Sequence, residues 1–98
     1  MMDLSAMQDN AREASSFLKS LANEKRLLIL CTLADKELSV SELNAHIDIS
    51  QSALSQHLAW LREAKLVATR REAQTIYYRL EGEKALKVIG VLKEIFCP

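Results

Sequence analysis

Ninety-eight residues, 49% of them hydrophobic, suffice for one small domain spanning 1–98, and chains this short often need a partner or a staple to complete the core. No run of about 18 apolar residues is present, so no membrane span is expected, and Met-Met-Asp-Leu-Ser lacks the basic and apolar regions of a signal peptide, which makes a cytoplasmic address the expectation. The formal net charge of zero divides unevenly: residues 1–49 hold five Lys/Arg against eight Asp/Glu (−3), residues 50–80 five against two (+3), and residues 81–98 three of each. Positive charge gathered on one segment suits phosphate neutralisation, and two copies would serve better than one.

In chain order, residues 5–21 read as an amphipathic helix with Ala14, Phe17, Leu18 and Leu21 on one side. Asn23 is placed to cap a second helix, whose Leu27, Leu28, Ile29, Leu30, Cys31, Leu33 and Ala34 give a nearly all-apolar surface suited to the centre of the domain. After the polar break Asp35-Lys36-Glu37, Ser39 and Glu42 form a capping box for a short helix to about Ile47. Asp48-Ile49 then leads tightly into a fourth helix capped by Ser50. Two β-prone runs, 66–70 and 75–80, flank Arg71-Glu72-Ala73-Gln74 as a basic hairpin. Ala73-Gln74 stands where a glycine would be usual, which leaves the turn type open. A last helix from Gly82 to Phe96 carries Leu86, Ile89, Leu92 and Phe96 on one stripe, widened by Val88, Val91 and Ile95. The surplus apolar surface on the first and last helices is economically explained by a symmetric homodimer.

The fourth helix carries the chemistry. Leu54, Leu58 and Leu61 recur at spacings of four and three and define its buried face. Gln51, Ser52, Ser55 and Gln56 then point outward from its first two turns, with no acidic residue among them. A DNA-recognition helix needs such a tip, because short donors and acceptors reach base edges and no charge repels phosphate. A capped surface helix with an ordinary polar face is the plainer alternative. The short helix before it completes a helix-turn-helix pattern, and the hairpin after it makes a wing. Gln51 and Gln56 are the expected base readers, since a Gln amide pairs with adenine N6 and N7. Arg70, Arg71 and Gln74 are expected to set the wing against the backbone or the minor groove. His57 and Arg62 are candidate phosphate contacts, though His57 equally suits helix packing and Arg62 a snorkelling surface position. His46 reads as a surface residue, and Trp60 as part of the packing.

Several segments together carry a family resemblance: Leu21-Ala22-Asn23-Glu24-Lys25-Arg26-Leu27, Leu38-Ser39-Val40-Ser41-Glu42-Leu43, Ser50 to Leu58 with Leu61-Arg62, Leu66-Val67, and Tyr77-Tyr78-Arg79-Leu80. Over nearly its whole length the chain resembles the ArsR/SmtB family of bacterial winged-helix repressors. The resemblance implies a mainly helical winged helix-turn-helix with a small β-hairpin. It also implies a homodimer through the first and last helices, with the fourth helix in the major groove of double-stranded DNA on an inverted-repeat operator. Many members sense metals. Thiolate-type sensors carry Cys-Val-Cys where this chain has Ser39-Val40-Ser41, and a hydroxyl is a poor ligand for soft metals. The other common site uses His and carboxylates on the last helix, whereas 81–98 holds no His or Asp. No metal or other cofactor is expected.

Cys31 lies in the second helix and Cys97 at the end of the last, 66 residues apart. In a cytosolic chain such cysteines point to buried thiols or redox chemistry rather than a permanent structural disulfide. Read from the residues alone, both also suit plain apolar filling. Their placement resembles the HlyU, BigR and SqrR branch of the family, which implies sensing of reactive sulfur or oxidants by a disulfide or polysulfide link between them. A disulfide needs Cα atoms within about 7 Å, and a bridge with extra sulfur tolerates more. Cys97 is expected to be the accessible thiol and Cys31 the buried one. No enzyme and no small-molecule substrate are expected, given no Gly-rich phosphate loop, no His with an evident carboxylate partner and no CxxC pair. Two alternatives stay open: a metal-responsive repressor with atypical ligands, and a winged helix used only for protein docking, which would want acidic or apolar residues on the polar helix.

Overall fold

Four of the five helices among residues 3–97, the part of the chain that this computed structural model describes, open on a side-chain cap. Met1, Met2 and Pro98, the ends of the expected 1–98 domain, lie outside the described residues. Helix α1 (Leu4–Leu21) starts at Asp3, whose Oδ1 accepts the Ala6 N–H at 2.7 Å. Helix α2 (Glu24–Thr32) starts at Asn23, which accepts from Arg26 N at 3.0 Å. At α3 (Val40–His46) both halves of the capping box form: Ser39 Oγ accepts from Glu42 N, and Glu42 Oε1 accepts from Ser39 N. Ser50 caps α4 (Gln51–Glu63) through the Ala53 N–H at 3.1 Å. Helix α5 (Gly82–Phe96) has no side-chain cap and is entered through Gly82 at φ +73°, a left-handed conformation that glycine takes without a Cβ penalty.

The hairpin of β2 (Val67–Glu72) and β3 (Thr75–Leu80) runs in register from Val67↔Leu80 to Glu72↔Thr75. A short strand that the sequence reading did not anticipate, β1 (Leu38–Ser39), pairs antiparallel with Tyr78 and Tyr77, giving a three-stranded sheet of order β1-β3-β2. Two residues are too few to show an alternation, so its only signal is tertiary. The hairpin turns through Ala73 at φ 55°, a non-glycine residue in the left-handed region, and the Arg71 Nε–H donates to the Ala73 carbonyl at 3.2 Å.

The core forms where α2 packs against α3, α4 and α5. Ile29 and Leu30 of α2 and its C-cap Leu33 meet Leu43 of α3, Leu54, Leu58 and Leu61 of α4, Val67 of β2 and Ile89 of α5, all essentially inaccessible to solvent. The first and last helices carry apolar surface beyond what the core uses, as their sequence patterns suggest. On α5 only Ala85 and Ile89 are buried, and the expected stripe residues Leu86 and Phe96 stand in solvent. On α1 only Leu21 is buried, while Leu18 and Ala14 are exposed. Both the periodicity of these helices and its excess over one core were legible in the sequence; which residues make up the excess was not. None of the described helices is long and apolar enough to cross a membrane.

Candidate nucleic-acid interface and thiol pair

Helix α4 is held by its apolar side and by both ends. Leu54, Leu58 and Leu61 are fully buried. The turn leading into it is fastened by Asn44, whose Nδ2 donates to the carbonyls of Ile49 at 2.9 Å and Ile47 at 3.3 Å. The sequence reading missed that role; an Asn at the end of a short helix before a tight turn was the available signal. The exit is a paired turn: Lys65 N–H donates to the Arg62 carbonyl and Leu66 N–H to the Leu61 carbonyl, with Lys65 in the left-handed conformation at φ 63°. On the free face Gln51, Ser52, Ser55 and Gln56 are all exposed, His57 is half-buried and Arg62 is exposed in the last turn. The N-terminal end of α4 also carries the positive pole of the helix and no acidic side chain in its first turn, so its field favours an anion.

Trp60 packs, as expected, but outside the apolar core. It is 44% exposed, with the Arg26 guanidinium over its ring at 4.3 Å from the centroid. The same guanidinium donates to the carbonyls of Ser20 at 2.8 Å and Lys19 at 3.2 Å, joining the end of α1 to α4 through α2. An indole this large is covered on one face by the cation and needs no place in the apolar core.

The wing is basic but not uniformly free. Arg70 gives Nε and Nη2 to one Glu37 carboxylate oxygen, at 2.9 and 2.6 Å, and Nη1 to Glu72 at 2.9 Å. Its plane lies 4.8 Å from the Tyr77 ring centroid. The hydrogen bond from Arg70 holds the Glu37 carboxyl below its ordinary range. Arg79 approaches the other Glu37 oxygen at 3.9 Å. Arg71 has no carboxylate partner among the described residues, and Arg71 and Gln74 are both exposed near the tip.

The two thiols face a common cavity between α2 and the end of α5. Cys31 and Cys97 are both free, and both line a small apolar cavity of about 220 Å³ walled by Leu27, Leu92, Lys93 and Phe96. Cys97 is exposed as expected, whereas Cys31 is half-buried rather than sealed in the core. Burial raises the Cys31 thiol above its ordinary value, the Lys93 ammonium opposes the rise and Cys97 adds to it. No group of three or more His, Cys, Asp or Glu side chains is arranged to hold a metal ion among the described residues.

A helix-turn-helix whose second helix offers a polar, unacidic tip, backed by a basic antiparallel hairpin, defines a winged-helix DNA-binding protein. Residues 23–69 match the profile of the bacterial regulatory proteins of the arsR family. The transcriptional activator HlyU of Vibrio cholerae is 51% identical over 96 residues, covering 98% of this chain and 89% of that protein. The biofilm growth-associated repressor of Agrobacterium fabrum is 52% identical over 94 residues, covering 96% of this chain and 80% of that protein. The solved structure of reduced HlyU from Vibrio cholerae superposes with a TM-score of 0.92 at 50% identity, over 97% of this chain and all of that one. The chain belongs to the ArsR family and is a DNA-binding transcriptional regulator.

Proposed function

We propose that this regulator acts in the cytoplasm as a symmetric homodimer on an inverted-repeat operator, and that the Cys31–Cys97 pair releases it from DNA. The observation carrying the DNA reading is the α4 tip, where Gln51, Ser52, Ser55 and Gln56 are exposed on one face while the leucines opposite them are buried. Gln51 and Gln56 read base edges, Ser52 and Ser55 reach bases or phosphate, His57 and Arg62 contact phosphate, and Arg70, Arg71 and Gln74 set the wing against the backbone or the minor groove. A two-fold axis through α1 and α5 presents two such tips to half-sites about one helical turn apart. Among the relatives one is named an activator and another a repressor, so operator binding here serves either sign of control.

Thiol control is supported by both sulfurs lining one cavity and by a relative solved in a state named reduced. Linking the two thiols removes two electrons and two protons. Hydrogen peroxide carries them away as two waters, and a persulfide RSSH carries them away as a thiol RSH and hydrogen sulfide. Cys97 follows α5, so a bond to Cys31 pulls on the helix that carries much of the exposed apolar surface. The test is a mobility-shift titration on an operator fragment selected from random duplexes, before and after persulfide treatment. Wild type is expected to lose the fragment and Cys31→Ser to keep it, with mass spectrometry showing the intramolecular link only in wild type. Release of Cys31→Ser under the same treatment overturns the mechanism.

A further inference from the structure

Arg70 is the wing cation most strongly engaged by carboxylates, and one of those comes from the acidic half of the chain. Glu37 stands one residue before β1, and the pairing of Leu38 with Tyr78 brings it alongside Arg70 of β2 and Arg79 of β3. Arg70, Arg71 and Arg79 would give the wing a charge of +3, but Glu37 and Glu72 reduce the cluster to +1. A carboxylate taking two guanidinium N–H groups occupies the same donors that a phosphate oxygen takes. Both partners reach solvent, with side-chain exposures of 45% for Arg70 and 29% for Glu37, so the pair is cheap to open. The Tyr77 ring beneath the guanidinium does not depend on Glu37 and keeps the arginine aimed when the carboxylate leaves.

We propose that Glu37 is an internal competitor for DNA: its carboxylate holds Arg70 in the free protein, and on binding Arg70 transfers from Glu37 to a backbone phosphate. Glu37 thereby sets how tightly the wing grips any duplex, without touching it. The inference rests on the wing lying against the duplex as proposed above. Because phosphate contacts carry no sequence information, a short random-sequence duplex is a sufficient probe.

Affinity of the full chain for that duplex, measured by fluorescence anisotropy over a range of salt, tests the exchange in Glu37→Gln, Arg70→Gln and the double variant. Glu37→Gln is expected to bind roughly five-fold tighter with an unchanged salt slope, since only the competitor is lost. Arg70→Gln should lower the slope by about one phosphate contact per protomer. In the Arg70→Gln background, Glu37→Gln should gain far less, only what its weaker contact with Arg79 contributes. An equal gain in that background would mean a general charge effect and overturns the exchange. So does an unchanged slope in Arg70→Gln, or no gain in Glu37→Gln. Arg71→Gln separates the two readings: a slope lowered by Arg71→Gln but not by Arg70→Gln overturns the exchange while leaving the wing on DNA. Slopes unmoved by either variant overturn both. Thermal unfolding of each variant confirms that the hairpin is folded.

Discussion

Gln51 and Gln56 share the exposed face of α4, and neither is drawn into a side-chain hydrogen bond among the described residues. On a helix fixed at both ends the backbone that carries these two amides is ordered before DNA arrives, so only their side chains are ordered on binding. Gln56→Ala is expected to cost about 1–3 kcal/mol of discrimination for the selected operator over random duplex. The salt slope should stay as in wild type, since no phosphate contact is removed. Anisotropy titrations on the two duplexes measure both quantities, and an unchanged operator preference would remove Gln56 from the readers. Trp60 teaches the opposite lesson at the same scale. Trp60 reads from the sequence as part of the packing, and its packing partner proves to be the Arg26 guanidinium rather than the apolar core. A cation from a different helix is invisible to periodicity, which sees only neighbours on one element.

Among the elements, α4 ends least comfortably. Lys65 takes the left-handed position of the exit turn that glycine ordinarily fills, and its side chain is exposed. Lys65→Gly should raise stability by about 0.5–1 kcal/mol, the relief of the left-handed penalty exceeding the extra freedom of the unfolded chain. Denaturant unfolding reads this as a higher midpoint at unchanged slope. A lower midpoint would show that the Lys65 side chain does more than tolerate its backbone. Element existence was largely legible because each start is local: Asn23, Ser39 with Glu42, and Ser50 announce their helices, and the β-branched and aromatic run 75–80 announces its strand. The α4 face was legible too, because one buried stripe dictates what faces outward. What stayed hidden is what joins distant segments: β1 against β3, Asn44 across its turn and Glu37 on Arg70. Each depends on a meeting of strands or turns that only the folded chain creates.

At the scale of the molecule, the protomer leaves its two outermost helices underused. Helix α1 spans 18 residues with Leu21 alone buried, although a helix in water draws most of its stability from packing an apolar face. Leu4, Met7 and Leu18 of α1 are exposed, as are Leu86, Val91, Ile95 and Phe96 of α5, up to 74% at Phe96. Exposed apolar residues in this number on a small domain suit a surface that another chain covers, and the proposed second copy would cover α1 and α5 of both chains at once. Ile95→Glu places like charges near that two-fold seam, while its position at 62% exposure keeps it clear of the protomer core. Sedimentation equilibrium should show wild type as a dimer and Ile95→Glu as a monomer. Operator affinity should fall by about 100-fold or more, since the second half-site is no longer engaged within one molecule. Random-duplex affinity per protomer should change far less, because α4 and the wing are untouched. The melting temperature of wild type should rise with protein concentration and that of the variant should not, as mass action requires when assembly stabilises the fold. A variant that remains dimeric with full operator affinity would place the covering surface elsewhere. The spacing of the two reading helices, and with it the means by which a bond at Cys97 reaches DNA, would then need a different axis.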